Sequence, residues 1–366
     1  MAEIKKILFL SNHFITLYSF RKELIKRLCE RGHEVYISSP EDEQFSYFEE
    51  MGCRIIATPM SRRGTNPVED LKLVASYKRI MKDVKPDIIF SYTIKPNIYG
   101  CMASNALGYR QVCNVTGIGS MFFRENIITK ISRALYRVSM KKAYKVFFQN
   151  TGDRDYFISH GLVEDNHEML PGSGVNLEQH KLCPMPETDE IRFIYIGRLM
   201  GMKGVEQYLE AARVISEKYP QTKFYAAGFV EEDKYKPMVE EYHEKGIIEY
   251  LGFRKDIDRW IEHCHCTVLP SLGGEGVPNV LLESAATGRV CIASNIHGSR
   301  DVVEDGVTGY LFTPGKSSEL IEKIERFIAL SKDERSEMGI RGREKVAREF
   351  DREIVIGKYI REAEQA

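Results

Sequence analysis

Long apolar runs are missing: nothing in the 366 residues approaches the roughly 20 consecutive apolar residues that cross a bilayer as a helix. The opening, Met1 to Leu10, runs straight into a strand-like pattern and lacks the cleavage region of a secretory signal. These two absences set the expectation of a cytoplasmic protein. Cysteine is sparse, eight in all and scattered through apolar contexts, which suits reduced thiols better than a disulfide framework. The one cluster, Cys264-His265-Cys266, has no second ligand pair at zinc spacing, so core and turn positions are expected there. No Gly-x-Gly-x-x-Gly follows the first strand-like stretch, which argues against a nicotinamide or flavin dinucleotide site. Net charge is nearly absent, −1 over the chain.

That balance hides an asymmetry. Residues 1–170 carry 25 basic against 19 acidic side chains, and the remainder 27 against 34. The basic half therefore calls for an anionic partner. Composition is otherwise that of a globular protein, and the length suits two domains. Strand-like stretches at 5–12, 34–38, 54–58 and 87–91 alternate with helical patterns, and the alternation restarts at 191–196, 223–228, 248–253 and 266–270. Alternation of this kind argues for doubly wound parallel sheets. A turn-rich stretch within 155–190 separates the halves. The expected domains are 1–168, completed by about 350–366, and 169–349.

Two strand-to-helix turns in the second half carry chemistry. After 191–196 comes Gly197-Arg198-Leu199-Met200-Gly201-Met202-Lys203-Gly204. An arginine fork and a lysine point charge on one glycine turn can face the same diphosphate, though an exposed basic loop has the same composition. Its spacing is not that of a Walker loop. After Cys266 to Pro270 comes Gly273-Gly274-Glu275-Gly276-Val277-Pro278-Asn279, with Glu283 further along the helix. Glycines leave room for a ligand, Pro278 suits a first helical turn, and the helix start offers N–H groups to an anion. Glu275 and Glu283 can accept hydroxyl hydrogen bonds from sugar or ribose diols, and either alone could equally be a solvated surface carboxylate.

These turns resemble glycosyltransferase family four, retaining enzymes of the GT-B fold, over nearly the whole chain. The resemblance implies two facing Rossmann-like domains with a last helix crossing back at Phe350-Asp351-Arg352. It implies that Arg198 and Lys203 grip the donor diphosphate, that Glu275 meets the transferred sugar and that Glu283 holds the ribose. Gly197, Arg254, Gly276, Val277, Pro278 and Asn279 complete the implied donor site, with 253–255 near the nucleobase and Gly172 to Asn176 as hinge loop. On the other side Asn12, His13, Thr93, Lys95, Thr116 and Gly117 become candidates for the acceptor. Many members place a histidine where this chain has Thr116-Gly117. Thr93-Ile94-Lys95-Pro96-Asn97 and Phe148-Gln149-Asn150 resemble the branch that builds lipid-linked bacterial glycans.

The implied activity is retaining, metal-independent transfer of an N-acetylhexosamine or hexose from a UDP-sugar to a polyprenyl-diphosphate-linked glycan. No cofactor is implied, and the chain is read as having no Asp-x-Asp metal motif to hold an ion, which suits a metal-independent reaction. The alternatives are a GDP-sugar donor, a soluble acceptor, a UDP-N-acetylglucosamine 2-epimerase of related architecture, or a binding module without turnover.

One segment is strongly one-sided. Residues 124–145 hold seven basic side chains and one acidic. Lys130, Arg133, Arg137 and Lys141 follow helical spacing, with Ile127, Ile128, Ile131, Leu135 and Val138 nearby. The pattern suits a basic amphipathic helix resting on an anionic membrane or gripping a diphosphate; a solvated face is the plainer reading. No nucleic-acid motif accompanies it. The expected location is the inner face of the plasma membrane, held peripherally.

Overall fold

The computed structural model describes residues 3–61, 66–118 and 127–366. The chain divides into two compact units, one built from the residues up to Ser173 together with Glu353–Ala366, the other from Gly174–Arg352.

The first unit holds strands β1 (Lys6–Ser11), β2 (Glu34–Ser39), β3 (Arg54–Ala57), β4 (Ile88–Tyr92), β5 (Arg110–Val115), β6 (Lys145–Phe148) and β7 (His167–Met169). They form one parallel sheet in the order β3-β2-β1-β4-β5-β6-β7. Its inner strands are apolar without alternation: Ile7, Leu8, Phe9 and Leu10 are all fully buried, because helices cover both faces. The direction of winding reverses between β1 and β4, which pair as Ile7 with Ile88 through Ser11 with Tyr92. The expected boundary at residue 168 cuts through β7, whose pairing with β6 keeps it in this sheet.

The second unit repeats the plan. Strands β8 (Ile191–Ile196), β9 (Thr222–Ala227), β10 (Glu249–Gly252), β11 (Cys266–Leu269), β12 (Val290–Ser294) and β13 (Gly309–Phe312) lie in the order β10-β9-β8-β11-β12-β13, again all parallel. Here the reversal falls between β8 and β11. Crevices at such reversals, outside the carboxyl ends of the strands, are where open α/β sheets bind ligands.

The chain's end returns to the first unit. Helix Lys332–Glu349 breaks at Phe350-Asp351, and helix Arg352–Glu364 follows. Val355, Ile356, Tyr359, Ile360 and Ala363 are buried in the core with Phe9, Phe90 and Phe147. The Tyr359 ring meets Phe90 and Phe147 edge-on at 5.0 and 5.4 Å between centroids, a favoured aromatic geometry.

Candidate active site

Because β8 and β11 are neighbours, the loops that follow them leave the sheet side by side. Gly204, at φ +73°, makes their closeness possible: a Cβ there would lie 2.0 Å from the Pro270 carbonyl oxygen. The Leu272 N–H donates to the Met202 carbonyl at 2.9 Å across the same seam. Lys203 and Glu275 are thereby brought together as an ion pair, with Ser271 Oγ donating to Glu275 Oε1 at 2.7 Å. Behind them the loop after β12 presses on the turn: a Cβ on Gly298, at φ +82°, would overlap the Gly276 carbonyl oxygen.

Arg198 is held from below and from the side. Tyr195 OH donates to its carbonyl at 2.7 Å, and its Nη1 lies 3.0 Å from both carboxylate oxygens of Glu231. Glu231 sits in the loop after β9 and had no place among the expected site residues. No sequence pattern marks it; its place comes from tertiary pairing, in which β8 and β9 pair through Ile196 and Ala227 and the pairing continues past the strand ends to Leu199 and Val230. That register sets residue 231 beside Arg198.

Glu283 lies on helix Asn279–Ala286, partly buried. Burial pushes its carboxyl up to about 7, Asp258 adds to the rise and Arg352 opposes it. Among the described residues nothing donates a hydrogen bond to that carboxylate, so it is open to a hydroxyl donor. Asn279 Oδ1 is likewise buried without a partner among the described residues, at a helix start that has no side-chain cap.

Other expected donor residues serve differently. Val277 and Pro278 have buried side chains, Val277 in the core of the unit, so only their backbone is available to a ligand. Gly197 donates its N–H to the Ala227 carbonyl at 2.9 Å and so extends the sheet. Arg254 follows β10, two strands from β8, where Asp256 takes both ends of its fork at 2.8 and 2.7 Å. The Asp-x-Asp spacing does occur, at Asp256-Ile257-Asp258 and at Asp153-Arg154-Asp155. Asp256 is engaged by Arg254, and Asp153 by Asn150 Nδ2 at 3.0 Å. His265 is a core residue, its Nδ1 accepting from the Arg192 N–H at 3.1 Å and its ring held near pKa 4 by burial.

In the first unit the acceptor-side candidates follow β1, β4 and β5. Asn12 and His13 follow β1, and His13 Nδ1 caps the next helix by accepting from the Ile15 N–H at 3.2 Å. Thr93 is unusual: a β-branched residue at φ +73°, with a buried Oγ1 that has no partner among the described residues. Such a conformation costs on the order of 1–3 kcal/mol and concentrates at functional sites. Lys95 corrects the expectation of a surface cation free to reach an anion. It is buried against Asp70 at 2.8 Å, while Tyr99 OH donates to the other Asp70 oxygen at 2.7 Å. Thr116 and Gly117 follow β5 at partial exposure. Nearby, Gln149 Nε2 is buried without a partner among the described residues, and burial raises the Asp153 carboxyl to about 7 against hydrogen bonds from Asn150 and the Ile118 backbone.

Two family descriptions cover most of the chain: "Glycosyl transferase 4-like" matches residues 6–150 and "Glycosyl transferases group 1" matches residues 184–345. The N,N'-diacetylbacillosaminyl-diphospho-undecaprenol alpha-1,3-N-acetylgalactosaminyltransferase of Campylobacter jejuni is 27% identical, with 97% of each chain covered. The UDP-Gal:alpha-D-GlcNAc-diphosphoundecaprenol alpha-1,3-galactosyltransferase of Escherichia coli is 25% identical over 75% of this chain and 74% of that one. HepE of Anabaena, solved with UDP and glucose, superposes with a TM-score of 0.79 at 21% identity, covering 98% of each chain. The chain belongs to the GT-B glycosyltransferases.

In this glycosyltransferase the basic segment is built differently from the expectation. Its helical part is Ile127–Met140, and residues 124–126 lie outside the described residues. The face turned to the protein is Thr129, Ser132, Tyr136, Ser139 and Met140, mostly small or polar. Leu135 packs against the core, but the other apolar side chains point away: Ile127, Ile131 and Val138 are 74%, 55% and 63% exposed, and Ala134 between them is exposed too. Positions 127, 131, 134 and 138 make one stripe along a helix. Lys130 and Arg137 flank it, exposed, with Lys141 beyond the helix end and paired with Glu164 at 3.4 Å. Arg133 is not on that flank in the same sense; its Nε donates to Tyr156 OH at 2.6 Å. No helix of the described residues is long and apolar enough to cross a membrane.

Proposed function

We propose that this glycosyltransferase moves an N-acetylhexosamine or a hexose from a UDP-sugar to a hydroxyl of a polyprenyl-diphosphate-linked glycan, with retention at the anomeric carbon. The observation that carries this is the grouping of Arg198, Lys203 and Glu275 at the β8–β11 reversal. The second unit is the donor side and the first the acceptor side. Arg198 and Lys203 face the charge that grows on the leaving diphosphate, by fixed electrostatics and without a metal ion. Glu275 accepts from sugar hydroxyls and Glu283 from the ribose. The bond from the anomeric carbon to the diphosphate oxygen breaks, the acceptor oxygen bonds to the same face, and its proton passes to the leaving phosphate oxygen. No cofactor takes part beyond the donor itself.

The lipid-linked acceptor is supported by the two bacterial relatives, whose names state diphosphoundecaprenol acceptors. The outward stripe of Ile127, Ile131, Ala134 and Val138 beside Lys130 and Arg137 supports peripheral binding to the anionic inner face of the membrane, where such an acceptor resides. A panel of UDP- and GDP-sugars, each offered with a lipid-diphosphate-linked and a soluble acceptor and read by mass spectrometry, tests the assignment. Transfer from a UDP-sugar to the lipid-linked acceptor is expected. Turnover only with a GDP-sugar, or only to a soluble acceptor, overturns that half of it.

A further inference from the structure

In the second unit both cations of the diphosphate loop are already neutralised by carboxylates: Lys203 by Glu275 and Arg198 by Glu231. The two carboxylates are not equivalent. Glu275 lies in the glycine turn and takes a hydroxyl donor, Ser271, so sugar hydroxyls can replace what it loses when a phosphate draws Lys203 away. Glu231 is set against Arg198 by backbone. The Leu199 N–H donates to the Phe229 carbonyl at 3.0 Å, and the Glu231 N–H donates to the Leu199 carbonyl at 3.1 Å. Both carboxylate oxygens lie 3.0 Å from one guanidinium nitrogen, with the Glu231 side chain 15% exposed and that of Arg198 40%.

We propose that Glu231 is a built-in competitor for the donor's diphosphate, occupying Arg198 until an anion of higher charge displaces it. This rests on the donor-site reading above and adds a residue that sets affinity for the leaving group. A carboxylate and a diphosphate oxygen present the same acceptor geometry to a guanidinium, so they exclude one another there. Like charge then drives Glu231 off once the diphosphate is seated. Two functional consequences follow. A single phosphate is a weaker displacer than a diphosphate, so the site discriminates against nucleoside monophosphates. After transfer, the return of Glu231 to Arg198 opposes retention of the diphosphate product, which speeds its release.

Calorimetric titration of the full chain with UDP tests this. Glu231→Gln, which keeps the shape and removes the charge, should tighten UDP about three- to fivefold, the upper scale of a partly exposed ion pair. In an Arg198→Ala background the same substitution should change UDP affinity less than twofold, because the competed cation is gone. Unchanged or weaker UDP binding by Glu231→Gln overturns the proposal. So does equal tightening in both backgrounds, which would trace the gain to lower overall negative charge. A wild-type chain that binds UDP while Glu231→Gln gains nothing sinks only this inference; a wild-type chain that binds neither UDP nor GDP sinks the donor-site reading itself.

Discussion

Arg198 and Glu283 are the side chains whose chemistry the surrounding fold most constrains, and each yields a measurable outcome. Replacing Arg198 by Ala removes the cation proposed to face the leaving group and leaves Glu231 without its guanidinium partner. Turnover should fall by about two to three powers of ten, the scale of losing a transition-state charge contact, and steady-state kinetics on a competent donor–acceptor pair checks it. Glu283 has a folded-state pKa of about 7, above the roughly 4.3 of an unfolded-chain Glu. The native state therefore holds the extra proton between those values, and ionising Glu283 costs stability as pH rises through 7. Glu283→Gln should melt above wild type at pH 8, with the difference closing toward pH 5, and should bind UDP more weakly at both. A melting difference that does not vary with pH would show that burial of Glu283 is not what the charge opposes. The place of Arg198, Lys203, Glu275 and Glu283 in the fold was legible because each lies on a glycine turn or the helix after it, downstream of an apolar strand. Glu231 was not, because its partner comes through parallel register across a chain separation of 33 residues. Lys95 misled for the same reason: Asp70, which neutralises it, is 25 residues away on another helix.

At the scale of an element, helix Ile127–Met140 shows how periodicity identifies a helix without saying which face is inward. Apolar side chains on a soluble protein are usually the inner face, yet here Thr129, Ser132 and Ser139 pack inward and Ile127, Ile131 and Val138 face out. The helix still reaches the core with its C-terminal half: Tyr136 and Met140 are buried with Ile98, Phe148 and Phe157, and Thr129, Ser132 and Ser139 fill the rest of the inward face. The eight expected strands, by contrast, match within a residue, since a buried parallel strand is a continuous apolar run, whereas β7, three half-buried residues inside the stretch read as turn-rich, was not legible. The outward stripe makes the proposed membrane attachment testable in two parts. Lys130→Glu with Arg137→Glu should reduce sedimentation with anionic liposomes at low salt. Ile131→Glu with Val138→Glu should abolish it even on highly anionic vesicles, because apolar burial, not screened charge, supplies the part that survives salt. If the isoleucine–valine variant still co-sediments like wild type while the charge variant does not, attachment is electrostatic alone.

The whole molecule poses a question of chain economy: its last residues do not belong to the unit that precedes them. Glu353–Ala366 complete the first unit's core, although Gly174–Arg352 intervene. The family resemblance implied a crossing at Phe350-Asp351-Arg352 and a first domain completed by about 350–366, but not how many core positions the final helix supplies. The seam is drawn by backbone: the Val175 N–H donates to the Phe350 carbonyl at 2.8 Å and the Arg352 N–H to the Val175 carbonyl at 3.0 Å, so the second unit closes on itself there. Only past Arg352 does the helix commit its side chains to the first unit. Tyr359 is the central one, fully buried against Phe90 and Phe147, with its hydroxyl donating to Asn114 Oδ1. Truncating an aromatic ring at such a position costs about 3–5 kcal/mol. Tyr359→Ala should therefore destabilise the first unit by that amount while leaving the second close to its native stability. Hydrogen exchange read by mass spectrometry distinguishes the two: amides of β1 and β4 should exchange faster by about two to four powers of ten, and those of β8 and β11 at the wild-type rate. Equal acceleration in both sheets would mean that the two units unfold as one, and that the final helix stabilises the whole chain instead of the sheet it packs on.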